Sequence, residues 1–337
     1  MTRRGFLCAA LAAACLTGAG SARAELTKIK VGHLVALDMA PLFVAKEAHY
    51  FEKYGLDVEP VFFANPGDNN AALAGGAIDL SINPFTLPFF AANSKVPIRV
   101  VAGAGGWGVM QVVADKKLGV KSFTEMAAYI KAHPGKKVKF GTLQGDTLEL
   151  ILTRSFAKAG ISPDDVNMVY FNDLLAMVDA FRTGEVDVLS HIKPYTTDLA
   201  LKKGAVVIAD NAGVWSPTTP NCVLSTLDKT LKTRPQIVES YLKAVLDAAA
   251  LINNQPDKAV ALLQKGTYFR VGPDVVLKAF KTAPAPISFV PDVSAIQSVV
   301  SDLTALGYIK GTTTAKDIFR LDIIQKLQGA TTVANKK

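Results

Sequence analysis

From Leu26 onward, short β-branched apolar runs alternate with longer stretches of helical period, separated by turns rich in Gly, Pro and Asn. The runs 28–34, 57–63, 78–82, 98–102, 138–141, 166–171, 186–189 and 205–209 are predicted strands. Between them, 40–54, opened by Pro41 in its first turn, and 145–159, closed by Gly160, are predicted helices. This alternation is the signature of βα units around a parallel sheet, so the class is α/β. Beyond Val223 the pattern turns helical, over 235–253, 256–264, 273–282, 292–306 and 314–328. That asymmetry predicts two lobes: 25–113 together with 212–337 form one, and 114–211 the other. No solenoid repeat or low-complexity tether separates them, so the expected binding place is the cleft between two rigid lobes.

Residues 1–24 are set apart. Arg3 and Arg4 precede an alanine-rich apolar stretch that ends Ser21-Ala22-Arg23-Ala24, the pattern of a cleaved export signal. Thr2-Arg3-Arg4-Gly5-Phe6-Leu7 resembles a twin-arginine motif, with Cys8 where Lys is usual, and the general secretory route stays open. A lipoprotein site at Cys15 is disfavoured by Ala12 three residues before it. The stretch is too short and too alanine-rich to span a membrane. The expected location is therefore the periplasm.

Charge narrows the partners. The chain has 337 residues with 37 Lys and Arg against 29 Asp and Glu, and loss of Arg3, Arg4 and Arg23 with the signal brings the basic count to 34. The remaining pairs Lys116-Lys117, Lys136-Lys137 and Lys202-Lys203 are scattered beside turns, without the stacking aromatics of a nucleic-acid surface. No nucleic-acid partner is expected.

Several chemistries are excluded by spacing. His33, His49, His133 and His191 show no H-x₃-H or H-E-x-x-H pattern, and the mature chain retains one cysteine, Cys222, so neither a metal site nor a disulfide is expected. Gly103, Gly105 and Gly108 match G-x-G-x-x-G after a strand, but Val109–Ala114 reads as another strand rather than the helix a dinucleotide requires. A glycine-rich crossing between lobes is the better reading, with Trp107 either lining the cleft or packing. No G-x-S-x-G occurs, and Asp146, Asp164 and Asp173 sit where helices are capped. No cofactor is expected. What remains are polar loops leading from strands into helices: 65–69, 83–86 and 142–147. Such loops bind ligands in open α/β sheets, and their free N–H groups favour a small oxyanion.

Three segments carry a resemblance. Pro41-Leu42-Phe43-Val44-Ala45-Lys46-Glu47 with Tyr50–Val58, then Ala72–Leu80, then Asp179–Asp187, resemble in order and spacing the nitrate/sulfonate/taurine-type solute-binding proteins of ABC transporters, over about residues 26–330. The resemblance implies a two-lobed periplasmic-binding-protein fold (type II) that closes on a ligand, docks on an inner-membrane ABC permease, acts as a monomer and catalyses nothing. It also implies ligand contacts just after the strands of both lobes, at Asn83, Phe85 and Thr86 and at His191, Lys193 and Tyr195, where His191–Pro194 replaces the usual W-E-P. Leu37, Asp38, Asn65, Trp107, Gln144, Gly145, Asp146, Thr147 and Asn172 complete the expected set. Lys193 either pairs with a small organic anion, with His191 donating to it, or faces solvent. Alternatives left open are a neutral heterocycle such as a thiamine-precursor pyrimidine and a periplasmic sensor role. An enzyme of the pyrimidine-synthesising branch that shares this fold is disfavoured by the single mature cysteine.

Overall fold

A computed structural model describes residues 25–105, 108–216, 219–283 and 286–334. The export segment and Trp107 lie outside the described residues. Ten strands form two sheets. The first contains β1 (Thr27–His33), β2 (Leu56–Phe62), β3 (Leu80–Pro84) and β4 (Ile98–Gly103); the second contains β5 (Met110–Ala114), β6 (Val138–Leu143), β7 (Val166–Phe171), β8 (Val188–Ile192) and β9 (Val206–Asp210). β10 (Cys222–Leu227) returns to the first sheet. The orders are β2-β1-β3-β10-β4 and β7-β6-β8-β5-β9. In each sheet the strand that arrives from the other sheet runs antiparallel between parallel neighbours: β10 between β3 and β4, β5 between β8 and β9. β3 and β8 are buried along their whole length, as strands covered on both faces must be.

Eight predicted strands fall within a few residues of observed ones, as does the strand read after Gly108. Met110–Val113, placed with the first lobe from sequence, pair in the second sheet, so the outward crossing lies before Met110. β10 was missed; its six residues begin just past the Thr219-Pro220-Asn221 turn and lead directly into a helical pattern. The predicted helix 40–54 is broken, Ala40–Glu47 and Tyr50–Lys53 being separated at His49, whose φ is 57°. The predicted helix 314–328 is broken at Phe319, which takes extended backbone and bridges Val100 on edge strand β4, with Arg320 N–H donating to Val100 O at 2.8 Å. An unpaired strand edge there outcompetes helix continuity.

The two G-x-[IV]-D segments do the same work in both sheets. Asp79 N–H donates to Lys30 O and its carboxylate accepts Lys30 N–H at 2.9 Å; Asp187 N–H donates to Lys139 O and its carboxylate accepts Lys139 N–H at 3.1 Å. Each aspartate thereby fixes the start of its strand against its neighbour. Gly76 and Gly184, at φ 74° and 81°, supply the left-handed turns that stop the preceding helices.

Gly32 sets how closely helix Pro66–Ala74 approaches β1. A Cβ there would collide with the Asn69 side chain and lie 2.5 Å from Ile78 Cδ1. Asn69 is fully buried, donates to Ile82 O and accepts from Ser81 Oγ, both at 2.9 Å, so it cannot yield without losing both bonds. Gly32→Ala is expected to cost about 2–3 kcal/mol. Urea unfolding checks this; an unchanged midpoint would mean that the helix moves aside freely.

Candidate functional site

Four strand-to-helix turns, following β1, β3, β6 and β8, meet where the two sheets face each other. Leu37 N–H donates to Lys193 O at 2.9 Å, and Phe85 N–H to Asn221 O at 3.1 Å. Asn221, on the return crossing, is buried between the lobes. Its Nδ2 donates to Asp38 Oδ2 at 2.8 Å, and its Oδ1 accepts from Thr147 Oγ1 at 2.9 Å. The Thr147 hydroxyl also lies 3.0 Å from Asp146 Oδ1, so one proton serves two acceptors.

Asp146 is 4% exposed. Its Oδ1 caps the helix Thr147–Ala159 through Leu148 N–H at 3.0 Å, while Oδ2 has no hydrogen-bond partner among the described residues. Burial, with the charge of Glu149 adding to it, pushes this carboxyl up to about 6. The Cys222 thiol is pushed up first by burial and then by the charges of Asp38 and Asp146. Glu149 is buried and receives Gly145 N–H at 2.6 Å, Tyr170 OH at 2.7 Å and Tyr308 OH at 2.9 Å.

Contacts between the lobes continue outward. Asn65 Nδ2 donates to Asn172 O at 2.8 Å, and Arg154 donates to Asp302 Oδ2 at 2.5 Å and to Ser298 O at 2.6 Å. Lys193 Nζ donates to Thr282 O at 2.8 Å, at the end of helix Pro273–Lys281. The lobes are closed on one another.

The expected site residues divide into groups. Asp38 and Thr147 bond Asn221 directly and Asp146 shares the Thr147 hydroxyl, while Leu37 and Thr86 are the chain neighbours of Asp38 and of Phe85, Gly145 N–H is held by Glu149, and Asn83 Nδ2 donates to Pro66 O. Asn65, Gln144 and Asn172 lie on the rim. Phe85 is packing rather than wall, edge-on to Trp215 at 5.7 Å. His191 and Tyr195 are buried in the second lobe, 5.6 Å apart edge-to-face. His191 Nε2 donates to Leu174 O at 2.7 Å, and burial holds the ring down to about 4, so it is neutral and turned away from any anion. Lys193, left between an anion contact and a solvent-facing position by the sequence, contributes its backbone to the cleft and its ammonium to Thr282; burial lowers it to about 8. Asn221, Glu149, Arg154, Thr282 and Tyr308 were missed, because none sits in a strand-to-helix loop after a predicted strand. Only the Thr219-Pro220-Asn221 segment, several residues past the expected lobe boundary at 211–212, could have drawn attention. Among the described residues no three or more His, Cys, Asp or Glu side chains form a group able to hold a metal.

Residues 22–264 match the NMT1-like family. The chain belongs to the NMT1-like family. Within curated proteins it is 29% identical over 251 residues to the nitrate/nitrite binding protein NrtA of Nostoc sp., covering 70% of this chain and 56% of that one. It is 25% identical over 276 residues to the bicarbonate-binding protein CmpA of Synechococcus elongatus, covering 76% and 61%. The chain thus spans little more than half the length of those two relatives. Among solved structures it resembles the periplasmic nitrate-binding protein NrtA from Synechocystis PCC 6803, with TM-score 0.79 at 18% identity over 91% of this chain and 89% of that one. It also resembles the alkanesulfonate-binding protein SsuA from Xanthomonas axonopodis pv. citri bound to MOPS, with TM-score 0.74 at 19% identity over 88% and 99%. For this NMT1-like chain the two mixed sheets and their helices are the periplasmic-binding-protein fold.

Because the folded Asp146 carboxyl sits above its unfolded value of 3.8, deprotonation opposes folding, and stability falls as pH rises from about 4 to about 6. Asn caps a helix as well as Asp. Asp146→Asn is therefore expected to be more stable than the parent at pH 7, by on the order of 2–3 kcal/mol, with the gap closing near pH 4. Melting curves of both proteins across this range decide; a gap that does not change with pH means the carboxyl titrates normally.

Proposed function

We propose that this protein is the solute-binding component of an ABC importer, exported through the signal in residues 1–24, working in the periplasm as a monomer and catalysing no reaction. The observation that carries this reading is the convergence on Asn221 of turns from both lobes, which makes the cleft a place where a solute touches both sides at once. Closure is favoured only by interactions made in the closed state. The contacts between lobes are individually modest, about 0.5–1.5 kcal/mol for a neutral hydrogen bond and more for a charged one. A solute spanning both walls adds to them, and micromolar capture needs about 8 kcal/mol in all. The closed pair of lobes then forms the surface offered to the permease in the inner membrane.

The names of the relatives point to small anions, while the N–H groups of Leu148 and Gly145 at the start of helix Thr147–Ala159 are already taken by Asp146 and Glu149. Lys193, the cation beside a strand end, is engaged with Thr282.

Thermal unfolding of residues 25–337 against a library of small anions, cations and neutral heterocycles is expected to give a midpoint rise of several degrees with one class. Silence across all classes removes the solute-binding reading. Lys193→Met, which cuts a seal between lobes and not a ligand contact, is expected to weaken that solute less than tenfold. A hundredfold loss would put the ammonium in the site.

A further inference from the structure

Helix Thr147–Ala159 is apolar on more of its surface than one sheet can cover. Leu148, Ile151, Leu152 and Phe156 follow the i, i+3, i+4, i+8 stripe of an amphipathic helix and pack in the cluster that holds the second sheet. Leu150 lies outside that stripe, yet it is fully buried. Among the described residues, the other buried members of its cluster all come from the first lobe, including Phe85 and Phe89 after β3, Val100 on β4, Val223 on β10, and Val299 and Leu303 on helix Val293–Ala305.

The residues that share a face with Leu150 extend the contact. Thr147, Leu150 and Arg154 are spaced i, i+3, i+7. Thr147 Oγ1 donates to Asn221 Oδ1 at 2.9 Å, and Arg154 donates to Asp302 Oδ2 at 2.5 Å and to Ser298 O at 2.6 Å, both on helix Val293–Ala305. Beside them Glu149 accepts Tyr308 OH at 2.9 Å, from the turn after that helix. One helix thus meets the first lobe along two turns, with a single apolar side chain between polar ends. Such a surface can part, because the hydroxyls, carboxylates and guanidinium have water to return to and one side chain alone loses its burial. The contacts of Leu150, Arg154 and Tyr308 are also complete within the protein and need no solute to form.

We propose that this face of helix Thr147–Ala159 is a clasp that holds the lobes shut on helix Val293–Ala305 with no solute bound, and that opening requires the two helices to separate. The clasp sets what fraction of the protein is closed before a solute arrives, and so tunes capture and release through residues outside the Asn221 hub. It goes beyond the solute-binding reading and can fail while that reading stands.

Small-angle X-ray scattering of residues 25–337 with no solute added tests it. The parent is expected to be as compact as the closed structure. Arg154→Met and Tyr308→Phe are each expected to lower the closed-to-open ratio roughly tenfold, and together roughly hundredfold, so that the double variant shows a larger radius of gyration with its secondary structure intact by circular dichroism. Arg154→Cys with Asp302→Cys is expected to be open as free thiols and to regain the parent's dimensions once a short bismaleimide bridges them; Cys222 is buried and does not compete for the reagent. A parent that is already extended without solute overturns the clasp, as does a double variant as compact as the parent. Either result leaves the solute-binding reading to its own titration, and silence of every solute there removes that reading while a scattering change of the expected kind keeps the clasp.

Discussion

One carboxamide sets the spacing of the two lobes. Asn221 belongs to the segment that returns from the second sheet to the first, and its two ends are opposite in character: Nδ2 donates to Asp38 on one wall, Oδ1 accepts from Thr147 on the other. Its backbone carbonyl holds Phe85 N–H, and the next residue opens β10. No other residue type of that size donates one way and accepts the other. The bond to a carboxylate is the stronger of the pair, on the order of 1.5–3 kcal/mol. The first lobe is therefore the firm anchor, and the hydroxyl shared by Thr147 is the end that gives way.

The sheets share one plan. Each consists of three parallel strands in the order second, first, third, then an antiparallel strand received from the other lobe, then an edge strand. Receiving a strand is what makes each lobe stiff, because β5 and β10 are hydrogen-bonded on both sides within their host sheets. The matched aspartates Asp79 and Asp187 pin the strands whose carboxyl ends form the cleft. The chain passes between the sheets at crossings before Met110 and before Cys222. Asn221 is on one of them, so the hub of the site and the path between lobes are the same stretch of chain.

Most of this architecture was legible as period. Strands of four to eight apolar residues, helices stopped by glycine and the paired G-x-[IV]-D segments marked the βα units, and their observed ends differ by a few residues. What period could not show was competition. Helix 314–328 reads as continuous, but an unpaired edge at Val100 takes Phe319 out of it. β10 lies where the sequence reads as the onset of the helical tail, because nothing local announces that a gap between β3 and β4 will accept it. The site was legible as positions, since strand ends leading into helices are recognisable, but not as partners. Asp146 illustrates this: the capping role inferred from its place before a helix is observed at Oδ1, while nothing local announces that Oδ2 is buried without a hydrogen-bond partner among the described residues.

The same distinction governs the charges. A lysine beside a strand end invites an anion, yet a long flexible side chain reaches whatever acceptor lies within its span, and for Lys193 that is the carbonyl closing helix Pro273–Lys281. The ammonium there complements the negative end of a helix and seals the lobes without entering the cleft. Short carboxylates have no such reach. Asp38 and Asp146 stay where the backbone puts them, so the charge of the inner cleft is set by the residues least able to move. Helix starts alone favour an anion by about 0.3–1 kcal/mol each, whereas a buried carboxylate such as Asp146, whose Oδ2 has no hydrogen-bond partner among the described residues, opposes one.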